Sequence, residues 1–520
     1  MKAPKKTSKK APKKTPKKRP PKTAKKTKLK ALIRKKSSIS KKASSSNPAV
    51  DDIFKDWNKN DSPGMALAVR QNGQVVFRNG YGMADLDRGI PNLPDTVFHA
   101  ASLTKQFTAM AIMMLINDPS LANANPHIGP ITLDTIVNTS TSPLIPELGG
   151  ITQPITIRQL LHHTSGIRDQ WILATMAGWR LSDDVVTRDD VMNRFVGLSR
   201  SLNFPPGSKY SYSNTNYTIA GEIVRKVSGL SLSAFCKQHI FDPLGMNKTQ
   251  IIETHGTIVN DRAYGYRVPT PPSGWEIRMP NYNLTGPTNL QTTVNDLMLW
   301  DANFDTMTVG GAAALTEMQT PGLGNYGLGL FITQQGKIVE HNGQDAGYRS
   351  HLIRVPDQKL SIALLCNVAV PNERTKNAQT WTLVRDVAEL FLGTTLPLPP
   401  QAQVPVTTPG PAPSNPSEFT GQFHSDELDV TYTLGLKGTA IQVTRQKYAT
   451  VTLVPLIDAG TFMNVKPPPP TMPPSIPPFS NVLRHVKFTF SREQGKIAGF
   501  SMDDISGQDQ LSSFKFKKVS

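Results

Sequence analysis

The chain has 520 residues, with 58 Lys and Arg against 39 Asp and Glu, for a formal net charge of +19. Residues 1–47 hold 20 of the basic residues and no acidic residue, which leaves 38 basic and 39 acidic residues elsewhere. Because the body of the chain is nearly neutral, a uniformly basic nucleic-acid-binding fold is excluded. The length allows two or three domains and a sizeable core.

Residues 1–47 repeat Lys-Lys with Pro, Thr, Ala and Ser. Like charges repel and little apolar surface is available for burial, so we expect this tail to be disordered. Three functions remain open for it: non-specific binding of polyanions such as nucleic acid, nuclear import, and simple solubilisation.

The only cysteines, Cys236 and Cys366, cannot form a disulfide framework or a CxxC metal site, and we expect two buried, reduced thiols. No stretch approaches the ~18 apolar residues of a membrane span. The basic N-terminus is not followed by the apolar segment of a secretory signal. We therefore expect an intracellular protein, cytoplasmic or nuclear.

Folded sequence begins near Val50. Two short apolar runs, Met65–Val69 and Gln74–Phe77, are joined through Asn72-Gly73, a strong hairpin signal. A helical pattern follows Ser102, and residues 120–300 are mostly helical and loop-like. Later strands are predicted at Leu328–Thr333, Ile338–Glu340, Ser350–Val355 and Leu360–Cys366, before an amphipathic helix that stops at Gly393.

Because two early strands cannot bury a face alone, we expect them to join the later strands in one antiparallel sheet flanked by helices. The middle of the chain would form an all-helical lobe, with a cleft between. The predicted domain covers residues 48–395.

Residues 396–416 are proline-rich and predict a stiff linker. Residues 417–520 then predict a small all-β domain, a barrel or sandwich, with a proline-rich loop at Pro467–Pro478. Its seven predicted strands are Phe419–Phe423, Val430–Leu436, Ala440–Thr444, Thr450–Pro455, Val486–Phe490, Ile497–Met502 and Ser513–Lys517.

Ser102-Leu-Thr-Lys105 is an S-x-x-K motif at the start of an apolar helix. The two side chains lie one turn apart, the helix N-terminus favours developing negative charge, and a lysine of lowered pKa can take the serine proton. Ser38/Lys41 and Ser512/Lys515 also match the motif, but neither precedes a comparable helix.

Two further polar motifs follow. Tyr212 and Asn214 form the only Tyr-x-Asn of the chain; the Tyr could act as a base, and the Asn amide could hold a substrate carbonyl. His341, Gly343 and Gln344 lie between two predicted strands, where a Gly allows close approach of a substrate backbone and a His supplies a hydrogen bond or a tunable charge. Each motif has a purely structural alternative when it is taken alone.

Together and in this order, the motifs resemble those of the serine β-lactamase and penicillin-binding protein superfamily, which uses S-x-x-K, then Tyr-x-Asn or Ser-x-Asn, then K-T-G or H-x-G. The resemblance covers about residues 50–393 and is closest to the class C β-lactamase-like branch, with its D-alanyl-D-alanine carboxypeptidases, D-aminopeptidases and esterases. The C-terminal domain resembles the lipocalin-like domain of some of these proteins. The combination of a lysine-rich tail with such a domain resembles proteins of giant DNA viruses. This resemblance implies that the protein associates with a virion.

The resemblance implies an acyl-enzyme at Ser102, proton transfer by Lys105 and Tyr212, and substrate binding by Asn214, His341, Gly343 and Gln344. The backbone N–H groups of Ser102 and Gln344 would form the oxyanion hole. No metal or cofactor is implied; His162-His163 is not at ligand spacing and is expected to pack beside the site.

Two departures from the family pattern affect the expected chemistry. His341 replaces the Lys of K-T-G, so we expect weak hydrolysis of anionic β-lactams, rising as the pH falls through the His pKa. No Glu lies between Leu148 and Gly221, which argues against a Glu-activated deacylating water. We favour an active hydrolase that cleaves an amide or ester. The two alternatives are a catalytically weak binding module and a structural protein that associates with nucleic acid through its tail.

Overall fold

The computed structural model describes residues 46–122, 128–138, 143–181, 183–268, 274–368, 379–399, 409–445, 451–456, 460–463, 486–504 and 511–520. The predicted disorder of the tail falls almost wholly outside these residues, as do residues 400–408 of the proline-rich linker and the loop at Pro467–Pro478.

Within the described residues, the central sheet has six antiparallel strands in the order β3-β4-β5-β6-β1-β2. They are β1 Met65–Gln71, β2 Gln74–Tyr81, β3 Phe331–Thr333, β4 Ile338–Asp345, β5 Tyr348–Val355 and β6 Leu360–Cys366. Strand β1 pairs with β6 from Met65 opposite Cys366 to Gln71 opposite Leu360. The prediction that the early strands join the later ones is confirmed.

The hairpin between β1 and β2 has the geometry that its sequence predicts. Asn72 and Gly73 have φ values of 50° and 81°, the two positive values that a tight turn matched to the strand twist requires. Strand β1 is almost fully buried, because Ala66 and Ala68 face one apolar cluster and Leu67 and its neighbours face another on the opposite side. The sheet therefore carries helices on both faces.

The described helices surround this sheet and build most of the middle lobe. They are α1 Pro48–Ile53, α2 Thr104–Asn117, α3 Ile157–Leu161, α4 Gln170–Met176, α5 Asn214–Ser228, α6 Leu232–Cys236, α7 Asp242–Leu244, α8 Val294–Thr306, α9 Gly311–Met318 and α10 Thr380–Leu392. Helix α2 is buried on nearly every side, as a helix between a sheet and a second lobe must be. Helix α10 ends at Gly393, which has φ 68°, as predicted.

The middle lobe also contains π-helical turns at Asp190–Val196 and Lys237–Phe241, and several short strands lie outside the central sheet, both before and within this lobe. The short strands are Met83–Asp85, Ile90–Pro91, Phe98–His99, Val186–Thr187, Gln250–Ile251, Tyr266–Arg267, Glu276–Ile277, Tyr282–Asn283 and Leu290–Thr292. None of the helices in the described ranges is long and apolar enough to cross a membrane.

The C-terminal domain is a closed antiparallel barrel. Its described strands are β7 Gly421–Ser425, β8 Val430–Lys437, β9 Ala440–Thr444, β10 Val451–Pro455, β11 Thr461–Met463, β12 Val486–Glu493, β13 Lys496–Asp504 and β14 Phe514–Lys518. Seven of them match the sequence prediction, and β11, only three residues long, was not predicted. Closure of the barrel leaves no free sheet edge.

Candidate active site

Ser102 lies on a 3₁₀ turn, Ala101–Leu103, that leads directly into α2. Ala101 has φ 48°, an uncommon value for a residue with a side chain, and Thr104 Oγ1 donates a 2.6 Å hydrogen bond back to Ala101 O. This tight turn presents the partly buried Ser102 hydroxyl at the N-terminal end of the helix, where the macrodipole favours negative charge.

Strand β4 passes so close to this turn that position 343 must be glycine. A Cβ at Gly343 would lie 2.6 Å from Ala100 O and 2.3 Å from Ser350 Oγ. The close approach inferred from the sequence is therefore made by the protein's own backbone. The His341–Gln344 segment also lies inside β4 and not between two strands, which corrects the sequence prediction.

Lys105 lies beneath Ser102, with its side chain completely buried. Its Nζ is 2.9 Å from each of three oxygens: Ser102 Oγ, Asn214 Oδ1 and Pro287 O. The Asn214 and Pro287 oxygens can only accept hydrogen bonds, whereas the Ser102 hydroxyl can also donate. In the neutral amine, the two hydrogens therefore go to Asn214 and Pro287, and the lone pair points at Ser102.

Burial also favours the neutral amine. It lowers the pKa of Lys105 to about 7, although the buried carboxylates Asp169 and Asp345 partly oppose this effect. With that pKa, about half of the Lys105 side chains are neutral at pH 7 and able to accept a proton, and the neutral fraction rises at higher pH.

Tyr212 completes the contacts to the serine. Its hydroxyl donates to Ser102 Oγ at 3.0 Å, and burial raises its pKa above the ordinary value. The phenol is therefore protonated at neutral pH. Of the two bases considered from the sequence, Lys105 is the better proton acceptor and Tyr212 the better donor.

Asn214 and Asp169 form a rigid support for Lys105. The Asn214 backbone N–H and side-chain Nδ2 donate to Asp169 Oδ2 at 2.6 and 2.8 Å, while Asn214 Oδ1 accepts from Lys105. Asp169 Oδ1 caps α4 by accepting from two backbone N–H groups. The Asn214 amide thus orients the lysine and keeps one Nδ2 hydrogen for a substrate oxygen.

His341 is buried and occupied on both ring nitrogens. Nδ1 lies 2.6 Å from Asn342 O and Nε2 lies 3.0 Å from Tyr326 Oη, so the ring donates to the carbonyl and accepts from the phenol. Burial, together with the charge of Lys105, lowers the pKa of His341 to about 3. The ring is therefore neutral at physiological pH, and the pH at which it would gain a charge lies well below the ordinary range of a histidine.

Gln344 lies in the same strand as His341, four residues after Glu340. Because side chains alternate along a strand, the Gln344 side chain points to the same face of the sheet as that of Glu340. Glu340 faces α10, where Arg385 Nη2 donates to it at 2.7 Å. The Gln344 side chain therefore lies on the face of the sheet opposite Ser102. Only its backbone N–H remains a candidate for substrate contact.

A second buried carboxylate, Asp345, ends β4 beside the site. It accepts hydrogen bonds from Tyr282 Oη at 3.0 Å and Thr288 Oγ1 at 3.0 Å, and lies 2.9 Å from His99 Nε2. Because Thr288 follows Pro287, this network fixes the carbonyl that binds Lys105. Neither Asp345 nor Asp169 was singled out from the sequence; Asp169 could have been recognised as a helix cap, but not as the partner of Asn214.

His162 and His163 form a packed turn beside the site. His163 Nδ1 accepts from the Ser213 backbone N–H at 3.1 Å, and its ring lies 4.3 Å from the Tyr212 ring between centroids. In the part of the chain that the structure describes, no group of three or more His, Cys, Asp or Glu residues could hold a metal ion.

The sequence profile of the family described as Beta-lactamase matches residues 50–386. The match includes Ser102, Lys105, Tyr212 and His341. The chain belongs to the beta-lactamase family. This confirms the resemblance that the three motifs indicated.

Curated relatives of this beta-lactamase family member match about 60% of the chain. A D-aminopeptidase of Gluconobacter oxydans (strain 621H) is 29% identical over 313 residues, 59% of this chain and 56% of that protein. Protein flp of Staphylococcus aureus (strain MW2) is 27% identical over 341 residues, 62% of this chain and 63% of that protein. Penicillin-binding protein 4* of Bacillus subtilis (strain 168) is 27% identical over 331 residues, 59% of this chain and 69% of that protein. The chain thus spans less than two thirds of the first two proteins.

Solved structures extend the similarity into the barrel. The octameric penicillin-binding protein homologue from Pyrococcus abyssi is 20% identical with a TM-score of 0.55, covering 90% of this chain and 99% of that one. SurE is 21% identical with a TM-score of 0.57, covering 91% and 98%. The penicillin binding protein from Bacillus halodurans, 21% identical with a TM-score of 0.55, covers only 66% of this chain. These likenesses establish the fold of this family member.

Proposed function

We propose that this chain is a serine hydrolase that cleaves an amide or ester bond through a covalent acyl-enzyme at Ser102. One observation carries the proposal: Ser102 Oγ lies 2.9 Å from the fully buried Nζ of Lys105 and 3.0 Å from the hydroxyl of Tyr212. A nucleophile is thus paired with a group able to accept its proton and a group able to donate one.

Acylation begins when the neutral amine of Lys105 accepts the Ser102 proton as Oγ attacks the carbonyl carbon. The resulting ammonium is held by Asn214 Oδ1 and Pro287 O, both already in place. The oxyanion would bind the backbone N–H groups of Ser102 and Gln344, where loss of one donor costs about 2.7–4 kcal/mol in comparable sites. The proton then passes to the leaving group, with Tyr212 as the adjacent donor.

Deacylation needs a base for the incoming water, and Lys105 with Tyr212 is the candidate. Asp169 is the buried carboxylate of the 148–221 segment closest to this chemistry, but its oxygens accept from Asn214, Trp171 and Ile172. It is therefore committed to structure and is not free to activate water. Lys105 and Tyr212 would therefore act in both half-reactions and would transfer the proton in opposite directions in the two.

The substrate class is a β-lactam, a D-alanyl peptide or a small ester, and the D-aminopeptidase relative favours D-configured amides among these. The test is a hydrolysis panel with nitrocefin, short-chain p-nitrophenyl esters and D-alanyl peptides, together with mass spectrometry of a fluorophosphonate adduct. We expect turnover of at least one substrate and an adduct on the peptide that contains Ser102. A chain that hydrolyses nothing and forms no adduct would instead be a binding module.

Small esters and amides are expected to give a higher kcat/KM than nitrocefin at pH 7.5, because His341 carries no charge to bind the β-lactam carboxylate. With a His341 pKa of about 3, the ratio of the two kcat/KM values should stay constant from pH 5 to 9. Titration of Lys105 affects both substrates and cancels in the ratio. His341→Lys should shift the ratio toward nitrocefin. A wild-type ratio that rises toward nitrocefin as the pH falls would contradict this assignment.

We also propose that residues 1–47 bind polyanions without sequence preference, since the rest of the chain has no net positive charge. A chain that starts at Asn47 should keep its hydrolase activity and lose affinity for a labelled DNA duplex. The affinity of the full chain for the duplex should fall steeply as the salt concentration rises. In a plot of the logarithm of the binding constant against the logarithm of the salt concentration, each neutralised phosphate should contribute about −0.9 to the slope. Equal binding by the two chains would place the nucleic-acid surface on the folded body. An intracellular location and association with a virion stay predictions.

A further inference from the structure

The C-terminal barrel contacts α4 at both ends of the helix. At the C-terminal end, Tyr432 Oη donates to Met176 O at 2.9 Å and Arg445 Nη1 donates to Thr175 O at 3.3 Å. These carbonyls belong to the last turn of α4, where a helix has no backbone donors of its own to offer. The barrel therefore supplies a donor to Met176 O and a further donor to Thr175 O, which also accepts from the Gly178 backbone N–H at 3.1 Å.

The N-terminal end of α4 is held through Arg168, the residue before its cap. The Arg168 side chain is only 1% exposed and forms an ion pair with Glu427, in the turn between β7 and β8. Its Nη2 donates to Ser512 O at 3.1 Å, and its guanidinium lies 5.1 Å from the centre of the Phe514 ring. Two parts of the barrel, the β7–β8 turn and the Ser512–Phe514 segment, thus contact one arginine of the lobe, which also donates to Ser201 O of the lobe itself at 2.8 Å.

This contact lies directly beside the support of the catalytic lysine. Asp169 follows Arg168 directly and binds Asn214, which in turn binds Lys105. The Arg168 carbonyl is also fixed, because it accepts from Thr215 Oγ1 at 2.7 Å. A displacement of Arg168 therefore moves the carboxylate on which Asn214 and Lys105 depend.

The described part of the barrel interior is filled by the protein's own side chains. Its described core is filled by aromatic rings, with Phe500 stacked on Phe516 at 4.7 Å between centroids. Phe423, Phe488 and Phe500 are each at most 2% exposed. Because the described core is closely packed, the surface of the barrel that contacts α4 is the part to which we look for a function.

We propose that the barrel is a positioning element for the active site: Glu427, Tyr432 and Arg445, with the main chain at Ser512, hold α4 so that Asp169 keeps Asn214 against Lys105. We name these four residues the barrel clamp. The proposal rests on the proposed function, because it assigns the clamp a role in the reaction of Ser102.

The first test is Glu427→Gln, which removes the charge opposite Arg168 and keeps the side-chain size. The matched control is Glu418→Gln, because Glu418 also pairs with an arginine, Arg492, at 2.5 Å, but within the barrel and away from α4. We expect Glu427→Gln to reduce kcat by about tenfold to a hundredfold with KM changed less than twofold, since small displacements of catalytic groups have effects of this size. Glu418→Gln should behave as the wild type.

Because Glu427→Gln leaves a buried arginine without its counter-ion and could destabilise the fold, Tyr432→Phe serves as a second variant. It removes only the hydroxyl that binds Met176 O and keeps the ring packed on Phe516. We expect a fall in kcat of about threefold or more, again with KM unchanged. A merely structural contact would lower the melting temperature of either variant without this selective loss of kcat.

Amide hydrogen exchange provides a readout that needs no substrate. Peptides covering Asp169–Met176 and Asn214 should exchange faster in Glu427→Gln than in Glu418→Gln. Wild-type kcat in Glu427→Gln, or unchanged exchange at these peptides, would overturn the barrel clamp while leaving the proposed function intact. If the wild type showed no reaction at Ser102, the proposed function would fail, and the exchange measurement would still decide whether the barrel holds α4.

Discussion

Ser102→Ala is expected to abolish covalent labelling by a fluorophosphonate or a fluorescent penicillin and to remove measurable turnover of every substrate that the wild type accepts. The hydroxyl is the attacking group, and neither Lys105 nor Tyr212 can replace it as an acyl acceptor in the same position. Thermal unfolding should change little, because the Ser102 side chain is only partly buried and its loss leaves no cavity of consequence.

Ser38→Ala is the matched control for this prediction, because Ser38 and Lys41 have the same S-x-x-K spacing in the tail. The control should label at the wild-type rate. Labelling of Ser102→Ala at that rate would show that another serine reacts and would remove the basis of the mechanism.

Replacement of the lysine should have the next largest effect. Lys105→Met keeps the length of the side chain but removes the proton acceptor, and we expect kcat to fall by about 10²–10⁴-fold, the contribution typical of a positioned general base. Lys337→Met, at an exposed lysine, should have no effect. The measurement is steady-state turnover of the best substrate in the panel.

Lys105 and Tyr212 should also act as a unit, because both contact the same oxygen, at 2.9 and 3.0 Å. Tyr212→Phe should cost orders of magnitude alone, and the double variant Lys105→Met/Tyr212→Phe should lose little more than Lys105→Met. A double variant whose loss equals the product of the two single losses would indicate independent roles and would contradict the shared handling of one proton.

The parts of the fold that sequence predicts best are those with a local cause. Asn72-Gly73 specifies its own turn, and Gly393 ends α10 because a left-handed residue is needed there. Strand β6 begins and ends where the apolar run Leu360–Cys366 does. Strand β11 was missed because three residues beside a proline-rich loop carry no readable alternation.

The parts that sequence could not predict depend on contacts between distant residues. Residues 341–345 read as a polar loop, yet they continue β4, because Tyr326 and His99 provide partners for side chains that would otherwise be buried without any. Asp169 and Asn214 are 45 positions apart, and nothing local in either segment indicates that they meet. The motifs thus predicted the groups that we propose to react, whereas the groups that contact and orient them emerged only from the fold.

The central claim is that a buried, neutral Lys105 removes the Ser102 proton, and the pH dependence of acylation tests it most directly. The measurement is the rate of labelling of the wild-type chain by a fluorophosphonate, a probe that does not itself titrate, between pH 5 and 9. Below its pKa the lysine is protonated and cannot accept, so the rate should fall on the acid side with a midpoint at about pH 7. A rate that is independent of pH over this range, or that is still rising at pH 9 as for an ordinary lysine, would contradict the account.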